Sequence, residues 1–330
     1  SIAPRPTRPR TAQGALPGIC GTIRLRHYRG AVARVNLPTY GTTFGTQRLL
    51  ESRVFMYLCV VEPITTMNRI IEKTHFSENV VKLVVEAPEV AKARKAGHFV
   101  IVRCGENGER IPLTIAQADV NRGTITLVIQ AVGHSTRKIC ALEAGDTLTD
   151  LVGPLGKATD VGLRNGTVVC CGGGVGIAPL LPIVQAMKAA GNRVVSVLAA
   201  RNKDLIILED EIRASSDEVI IMTDDGSAGR QGLVTAGVED VIQRENVAEV
   251  VAIGPAVMMK FVSLLTKKYN VPTVCSLNTI MVDGTGMCGA CRVNVGGKTR
   301  FVCVDGPEFD AHQVDFDEMI MRMRAYDPQK

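Results

Sequence analysis

Residues 166–179 read Gly166-Thr-Val-Val-Cys-Cys-Gly172-Gly173-Gly174-Val175-Gly176-Ile-Ala178-Pro179: an apolar run, a glycine turn and a helix start. Glycine lets the backbone approach a diphosphate, and the helix N-terminus that follows favours its charge. Pro179 falls in the first turn, where a missing N–H costs nothing. Strand-type runs recur at Arg193–Leu198, Val219–Met222, Val250–Ile253 and Thr273–Ser276, with helical stretches near Leu180–Ala190, Thr235–Gln243 and Met258–Tyr269. Such alternation predicts an α/β doubly wound parallel sheet over residues 161–276. In isolation a glycine cluster reads equally as a structural turn; the strand before it and the helix after it favour a nucleotide. Asp224 and Asp225 follow a strand end, where a carboxylate can accept a ribose hydroxyl and repel a 2′-phosphate, although a solvated Asp-Gly turn fits the same residues.

A second feature lies further on. Asp283-Gly-Thr-Gly-Met-Cys288-Gly-Ala-Cys291 is followed by Cys303, giving gaps of x₄, x₂ and x₁₁ on a glycine-rich loop. Thiolates so spaced hold a 2Fe–2S cluster in plant-type ferredoxin loops, with Asp283 here in the first ligand position. A zinc site built from the same four residues is the competing reading, although structural zinc sites usually pair two knuckles and only one Cys-x₂-Cys is present. Residues 277–330 form this cluster module, with a hairpin between Arg292 and Val302 turning at Gly296-Gly297. A final helix is capped by Asp315 and expected to pack on the barrel described next or on a partner.

Between residues 67 and 160 the texture is short β-type runs: Arg69–Lys73, Val80–Val85, Phe99–Val102, Thr124–Ile129 and Thr147–Leu151. With one helix near Thr136–Leu142, this predicts a closed antiparallel β-barrel. Arg110 opens an apolar strand that Pro112 confines to an edge or entrance. Gly133-His134-Ser135-Thr136 stands at a helix start. A guanidinium and a helix N-terminus together can clamp a pyrophosphate; an ordinary strand entrance and N-cap read the same way, and His134 reads as a loop residue.

Basic character belongs to the leader. Residues 1–66 hold nine Arg, no Lys and two Glu, whereas the other 264 residues hold 29 basic and 31 acidic groups, so nucleic-acid binding is not indicated. The leader reads as a disordered targeting-like segment or as upstream sequence ahead of a start at Met67. Hydrophobic content of 46% with 4% aromatic and no Trp means cores of Val, Ile, Leu, Ala and Met. No apolar run reaches membrane-spanning length. Cys104, Cys140, Cys170, Cys171 and Cys275 read as buried small hydrophobes, which suits a reducing, cytoplasmic setting.

A barrel followed by a nucleotide domain resembles the ferredoxin–NADP reductase superfamily. Gly173-Gly-x-Gly-x-Ala-Pro179 is similar to its NAD(P) motif. Its usual Arg-x-Tyr-Ser/Thr is replaced here by Arg110, four residues before Thr114, with Leu113 in the aromatic position. The chain resembles the branch that holds the small subunit of NADH-dependent ferredoxin–NADP oxidoreductase, which is similar in using Asp with the same gaps, and the electron-transfer subunit of dihydroorotate dehydrogenase, which normally has four Cys at the cluster. The resemblance implies FAD contacts at Arg110, Pro112, Leu113, Thr114, Ile129, Gln130, Gly133, Ser135 and Thr136. It implies NAD(H) contacts at Gly172, Gly173, Gly174, Gly176, Ala178, Pro179, Asp224, Asp225, Gly254 and Pro255, with Arg201 and Glu209 near the adenosine half, and no catalytic acid or base. The cluster ligands would be Asp283, Cys288, Cys291 and Cys303. The implied partner is a larger iron–sulfur flavoprotein subunit, with ferredoxin reached indirectly. Alternatives are the electron-transfer subunit of dihydroorotate or sulfide dehydrogenase and a non-catalytic flavin redox sensor.

Overall fold

A computed structural model describes residues 68–325, so the expectations for residues 1–66 lie outside the described residues. The first sheet holds β1 (Ile70–Ser77), β2 (Val80–Glu86), β3 (Phe99–Arg103), β4 (Ile111–Asp119), β5 (Thr124–Gln130) and β6 (Asp150–Leu155), with α1 (Pro88–Ala93) and α2 (His134–Cys140) between strands. Its order is β1-β2-β5-β4-β3-β6, antiparallel throughout. The two edges then meet. Ile70 N–H donates to Asp146 O at 2.8 Å and Leu148 N–H to Asn68 O at 3.0 Å, which closes the barrel. Alternation sends Leu83, Val85, Val100, Val102, Ile125, Leu127 and Ile129 inward as its core. Pro112 pairs only with Ile101 of β3, because β5 joins β4 from Ile115 onward; the proline stands where no second strand needs its N–H.

The second sheet takes β7 (Thr167–Gly173), β8 (Arg193–Ala200), β9 (Glu218–Thr223), β10 (Arg230–Gln231), β11 (Val247–Ile253) and β12 (Thr273–Ser276), all parallel. Beyond them the chain forms the hairpin β13 (Arg292–Val295) and β14 (Lys298–Phe301), then β15 (Glu308–Asp310), which returns antiparallel to β12. The sheet order β10-β9-β8-β7-β11-β12-β15 reverses direction between β7 and β11. Helices α3 (Ile177–Ala189), α4 (Glu209–Ala214), α5 (Val234–Arg244), α6 (Ala256–Lys268), α7 (Val302–Asp305) and α8 (Phe316–Arg324) complete the unit.

One face of this sheet is covered by α3, whose Leu180, Leu181 and Val184 share a core with Val80, Ala116 and Val128 from the barrel's outer wall. That shared apolar layer fixes the barrel to the sheet. The other face is covered by α5 and α6, and the cluster module joins the same core through Val293, Val302 and Phe316. The final helix α8 packs on α6 rather than on the barrel: Phe316 and Met319 are buried there, and Lys260 of α6 pairs with Asp317 at 2.6 Å. Cys170, Cys171 and Cys275 are buried as expected, but Cys104 and Cys140 are only partly so, being on or next to rim segments of the small barrel.

Glu308 of β15 lies against the segment that leaves the barrel, accepting a hydrogen bond from Thr159 Oγ1 at 2.6 Å. Burial pushes its carboxyl from 4.5 up to about 7; the Thr159 bond opposes this, and Glu249 and Asp160 add repulsion. Above the ordinary value the unfolded chain loses this proton while the folded chain keeps it until about pH 7, so the contribution to stability is lost as pH rises across that window. Glu308→Gln should flatten the decline by up to about 3 kcal/mol, read from urea unfolding between about pH 5 and 8.

Candidate functional site

The strand order turns back between β7 and β11, and a crevice opens outside their carboxyl ends, where open α/β sheets take their ligands. Side chains are missing there for a steric reason. A Cβ on Gly176 would stand 2.6 Å from Ile253 O and 2.8 Å from Gly254 Cα, so the two turns touch backbone to backbone. A Cβ on Gly173 would collide with Met258 Sδ, and one on Gly254 would lie 2.9 Å from the same atom. Gly172 packs against Ile177 and Leu180. Gly174 is different: its φ is +56°, and a Cβ there would meet nothing within 4 Å. It is the bare stretch of backbone that a diphosphate can approach, just ahead of the α3 N-terminus with Ala178 and Pro179 in the first turn. Pro255 caps α6 on the facing side of the crevice.

Further along the sheet edge, Asp225 Oδ1 accepts the N–H and Oγ–H of Ser227 at 2.9 and 2.6 Å, and these bonds hold its carboxyl below the usual carboxylate value. Asp225 therefore serves its own turn. Asp224 is exposed beside it, its carboxylate without a partner among the described residues, and Arg201 is joined to the same turn by Asp225 N–H donating to Arg201 O. Glu209 is paired with Arg213 at 2.7 Å on its own short helix, which leaves it less free for the adenosine half than the sequence suggests.

On the barrel, Pro112 and Thr114 share the outer face of β4, while Leu113 packs against the barrel interior and Ile129 is 1% exposed inside it. Leu113 and Ile129 thus offer a ligand backbone rather than side chain, because strand alternation turns them inward. Thr136 Oγ1 accepts the N–H groups of Val132 and Gly133 at 3.1 and 2.9 Å, so its hydroxyl closes the turn before α2. Ser135 Oγ donates to Glu109, which brings the α2 start beside the β4 entrance. Gln130 ends β5 nearby. Arg110 does more than the sequence implies: Nε donates to Val282 O at 3.1 Å and Nη1 reaches Asp150 at 3.5 Å, tying the β4 entrance to the residue before Asp283.

The loop begun at Asp283 lies directly on the barrel. Gly284 has φ +78°, and a Cβ there would stand 2.7 Å from Ile101 Cγ1 and 2.8 Å from Leu155 Cδ1. Asp283 Oδ1 accepts Thr285 N–H, and Oδ2 accepts Met287 and Cys288 N–H, each at 3.0 Å. These donors hold its carboxyl below the ordinary value, and Oδ1 keeps a lone pair for a metal. Cys291 and Cys303 are buried with their sulfurs 3.2 Å apart; Cys288 is exposed, its Sγ accepting Ala290 N–H at 3.5 Å. Among the described residues no three His, Cys, Asp or Glu form a single ligand shell. The four stand instead as two pairs, Asp283 with Cys288 and Cys291 with Cys303. Two pairs on one glycine-rich loop suit a two-iron cluster. The residues fit the cluster.

Barrel, switch-point crevice and thiol loop together define an electron-transfer oxidoreductase with a ferredoxin–NADP reductase-like fold. Comparison with known proteins agrees. The iron-sulfur cluster binding domain of dihydroorotate dehydrogenase B matches residues 278–315, and the oxidoreductase NAD-binding domain matches residues 170–264. A dihydroorotate dehydrogenase B (NAD(+)) electron transfer subunit homolog from Thermotoga maritima is 45% identical over 266 residues, 81% of this chain and 94% of that protein. The corresponding subunit of Desulforamulus reducens is 32% identical over 69% of this chain and 90% of its own length. A solved structure described as giving insights into flavin-based electron bifurcation, that of the NADH-dependent reduced ferredoxin-NADP oxidoreductase, superposes with a TM-score of 0.76 at 43% identity, covering 80% of this chain and 95% of that one. The chain belongs to the dihydroorotate dehydrogenase B electron-transfer subunit family, with an NAD-binding domain and an iron–sulfur-binding domain.

Sequence reasoning missed Met258, Val282, Asp150 and the Ile101–Leu155 seat, since each acts only through contacts made far along the chain. Gly176→Ala should force the two turns apart and raise the KM for NADH by about tenfold or more, with a smaller change in kcat, as expected when positioning is lost; steady-state kinetics with a dye acceptor measures it.

Proposed function

We propose that this chain accepts a hydride from NADH and hands electrons singly to a larger iron–sulfur flavoprotein subunit, as the small subunit of an NADH-dependent ferredoxin–NADP oxidoreductase. The observation that carries this reading is the seat of the cluster loop: Gly284 rests on β3 and β6, and Arg110 joins the β4 entrance to Val282. In this reading Arg110, Pro112, Thr114, Gln130, Gly133 and Ser135 hold FAD by side chain or backbone, with Leu113, Ile129 and Thr136 shaping the cradle. Gly174, the α3 N-terminus and Gly254-Pro255 hold the dinucleotide, and Asp224 takes the ribose hydroxyl, favouring NAD(H) over NADP(H). Asp283, Cys288, Cys291 and Cys303 hold the 2Fe–2S cluster. Bound FAD supplies the exchange between a two-electron hydride and one-electron carriers. The protein's part is to bind and orient, for which no acid–base side chain is needed.

The Asp283 position and the 43% identical structure favour this assignment. The match of residues 278–315 favours a second reading, the electron-transfer subunit of an NAD-dependent dihydroorotate dehydrogenase. Copurification and sequencing of the partner separates the two. A reducing, cytoplasmic setting suits the eight described cysteines, none of them in a disulfide; no helix among the described residues is long and apolar enough to cross a membrane.

Anaerobically purified protein should contain iron, sulfide and FAD and oxidise NADH with an artificial acceptor; zinc in place of iron, or full FAD loading without turnover, would sink the proposal. Asp283→Ala should lower iron content by about half or more, and Asp283→Cys should restore it with altered EPR g-values and potential. An unchanged spectrum in Asp283→Cys would argue against ligation.

A further inference from the structure

Two guanidiniums outside the proposed ligand set grip the thiol loop. Arg292, the first residue of β13, donates from Nη1 to Gly289 O at 3.1 Å. Arg322 reaches over from α8, 32 positions beyond its partner, and donates from Nη2 to Ala290 O at 3.4 Å. Gly289 and Ala290 are the two residues between Cys288 and Cys291. Arg292 is exposed and Arg322 half-buried, and neither has a carboxylate partner among the described residues. The acids of the module are held elsewhere. Asp305 accepts Phe301 N–H at 2.8 Å, Asp317 pairs with Lys260 at 2.6 Å, and Glu318, one turn before Arg322 on α8, makes no ion pair among the described residues.

Each guanidinium ends on a peptide unit whose other end belongs to the thiol environment. Gly289 C=O and Ala290 N–H are one unit, and that N–H donates to Cys288 Sγ at 3.5 Å. Ala290 C=O shares its unit with the N–H of Cys291 itself. A carbonyl that accepts from a cation polarises its peptide and makes the attached N–H a stronger donor. Hydrogen bonds to sulfur and local net charge are among the levers that set an iron–sulfur potential. One-electron reduction by the bound flavin adds one negative charge among the four ligands, with no bond made or broken, so cations fixed on this loop favour the reduced form.

We propose, on the assignment of Asp283, Cys288, Cys291 and Cys303 as the 2Fe–2S ligands, that Arg292 and Arg322 are positioning residues that raise the cluster's reduction potential through the Gly289 and Ala290 peptides. The test is a redox titration of the anaerobic holoprotein, followed by the EPR signal of the reduced cluster. Arg292→Gln and Arg322→Gln keep an amide donor and remove the charge. Each should lower the potential, and together they should shift the one-electron equilibrium by about tenfold, which for one electron is about 59 mV. The single variants read the same shift at smaller size, so they carry the test even where the double variant loses iron. Arg292→Lys and Arg322→Lys should stay nearer the parent. Lys298 pairs with Val295, about 10 Å along the hairpin from Arg292, and Lys298→Gln should shift the equilibrium by less than about twofold. Gln and Lys variants that shift alike report lost packing and overturn the inference, as does an intact EPR signal whose potential no variant moves. A parent protein without that signal overturns the ligand assignment itself, so the two failures are distinct.

Discussion

Two turns that touch backbone to backbone organise this molecule. Gly176 lies against Ile253 O and Gly254 Cα, so the turns after β7 and β11 meet with no side chain between them at the point where the sheet reverses its order. The helices that start there diverge to opposite faces. Helix α3 runs down one face and meets the barrel through a shared apolar layer. Helix α6 runs down the other and supports β15, α8 and the cluster module. A single close approach therefore sets where the nucleotide can lie, where the barrel docks and what carries the thiol loop.

The thiol loop is held to the barrel by contacts that also demand small or backbone groups. Gly284 fits flat on Ile101 and Leu155, and the Val282 carbonyl reaches Arg110. Electron transfer between bound groups depends on holding them at fixed separation, which backbone contacts do better than long flexible side chains. Arg110 is consequently committed twice, through Nε to the loop and through Nη1 to Asp150, leaving its remaining N–H groups for an anion at the β4 entrance. Within the loop, three N–H groups converge on Asp283, so the carboxylate proposed as a cluster ligand also shapes the turn.

Much of this could be read in the chain because the informative signals are local. Strand, glycine turn and helix in residues 166–189 announce themselves by composition, as do the Asp-x₄-Cys-x₂-Cys spacing and the hairpin turning at Gly296-Gly297. Strand β4 was legible only at its start, since Pro112 masks a run that continues to Asp119 once β5 joins it. Leu113 and Ile129 looked available to a flavin, but their direction depends on which strand face becomes the barrel interior. Thr136, Asp225 and Glu209 also bond within their own turns or helix, contacts that residue type alone does not announce.

By itself the order of residues determined which elements form and which side chains can ligate, because helix starts, strand runs and thiol spacing depend on neighbours a few positions away. Tertiary structure alone decided which of those groups meet. Arg110 and Val282 are 172 positions apart and Thr159 and Glu308 are 149, and each pair is joined only by the packing of sheet, barrel and loop. Such contacts carry no mark in the chain, since they are selected by the apolar layers that bring distant segments together and not by any preference of the residues themselves.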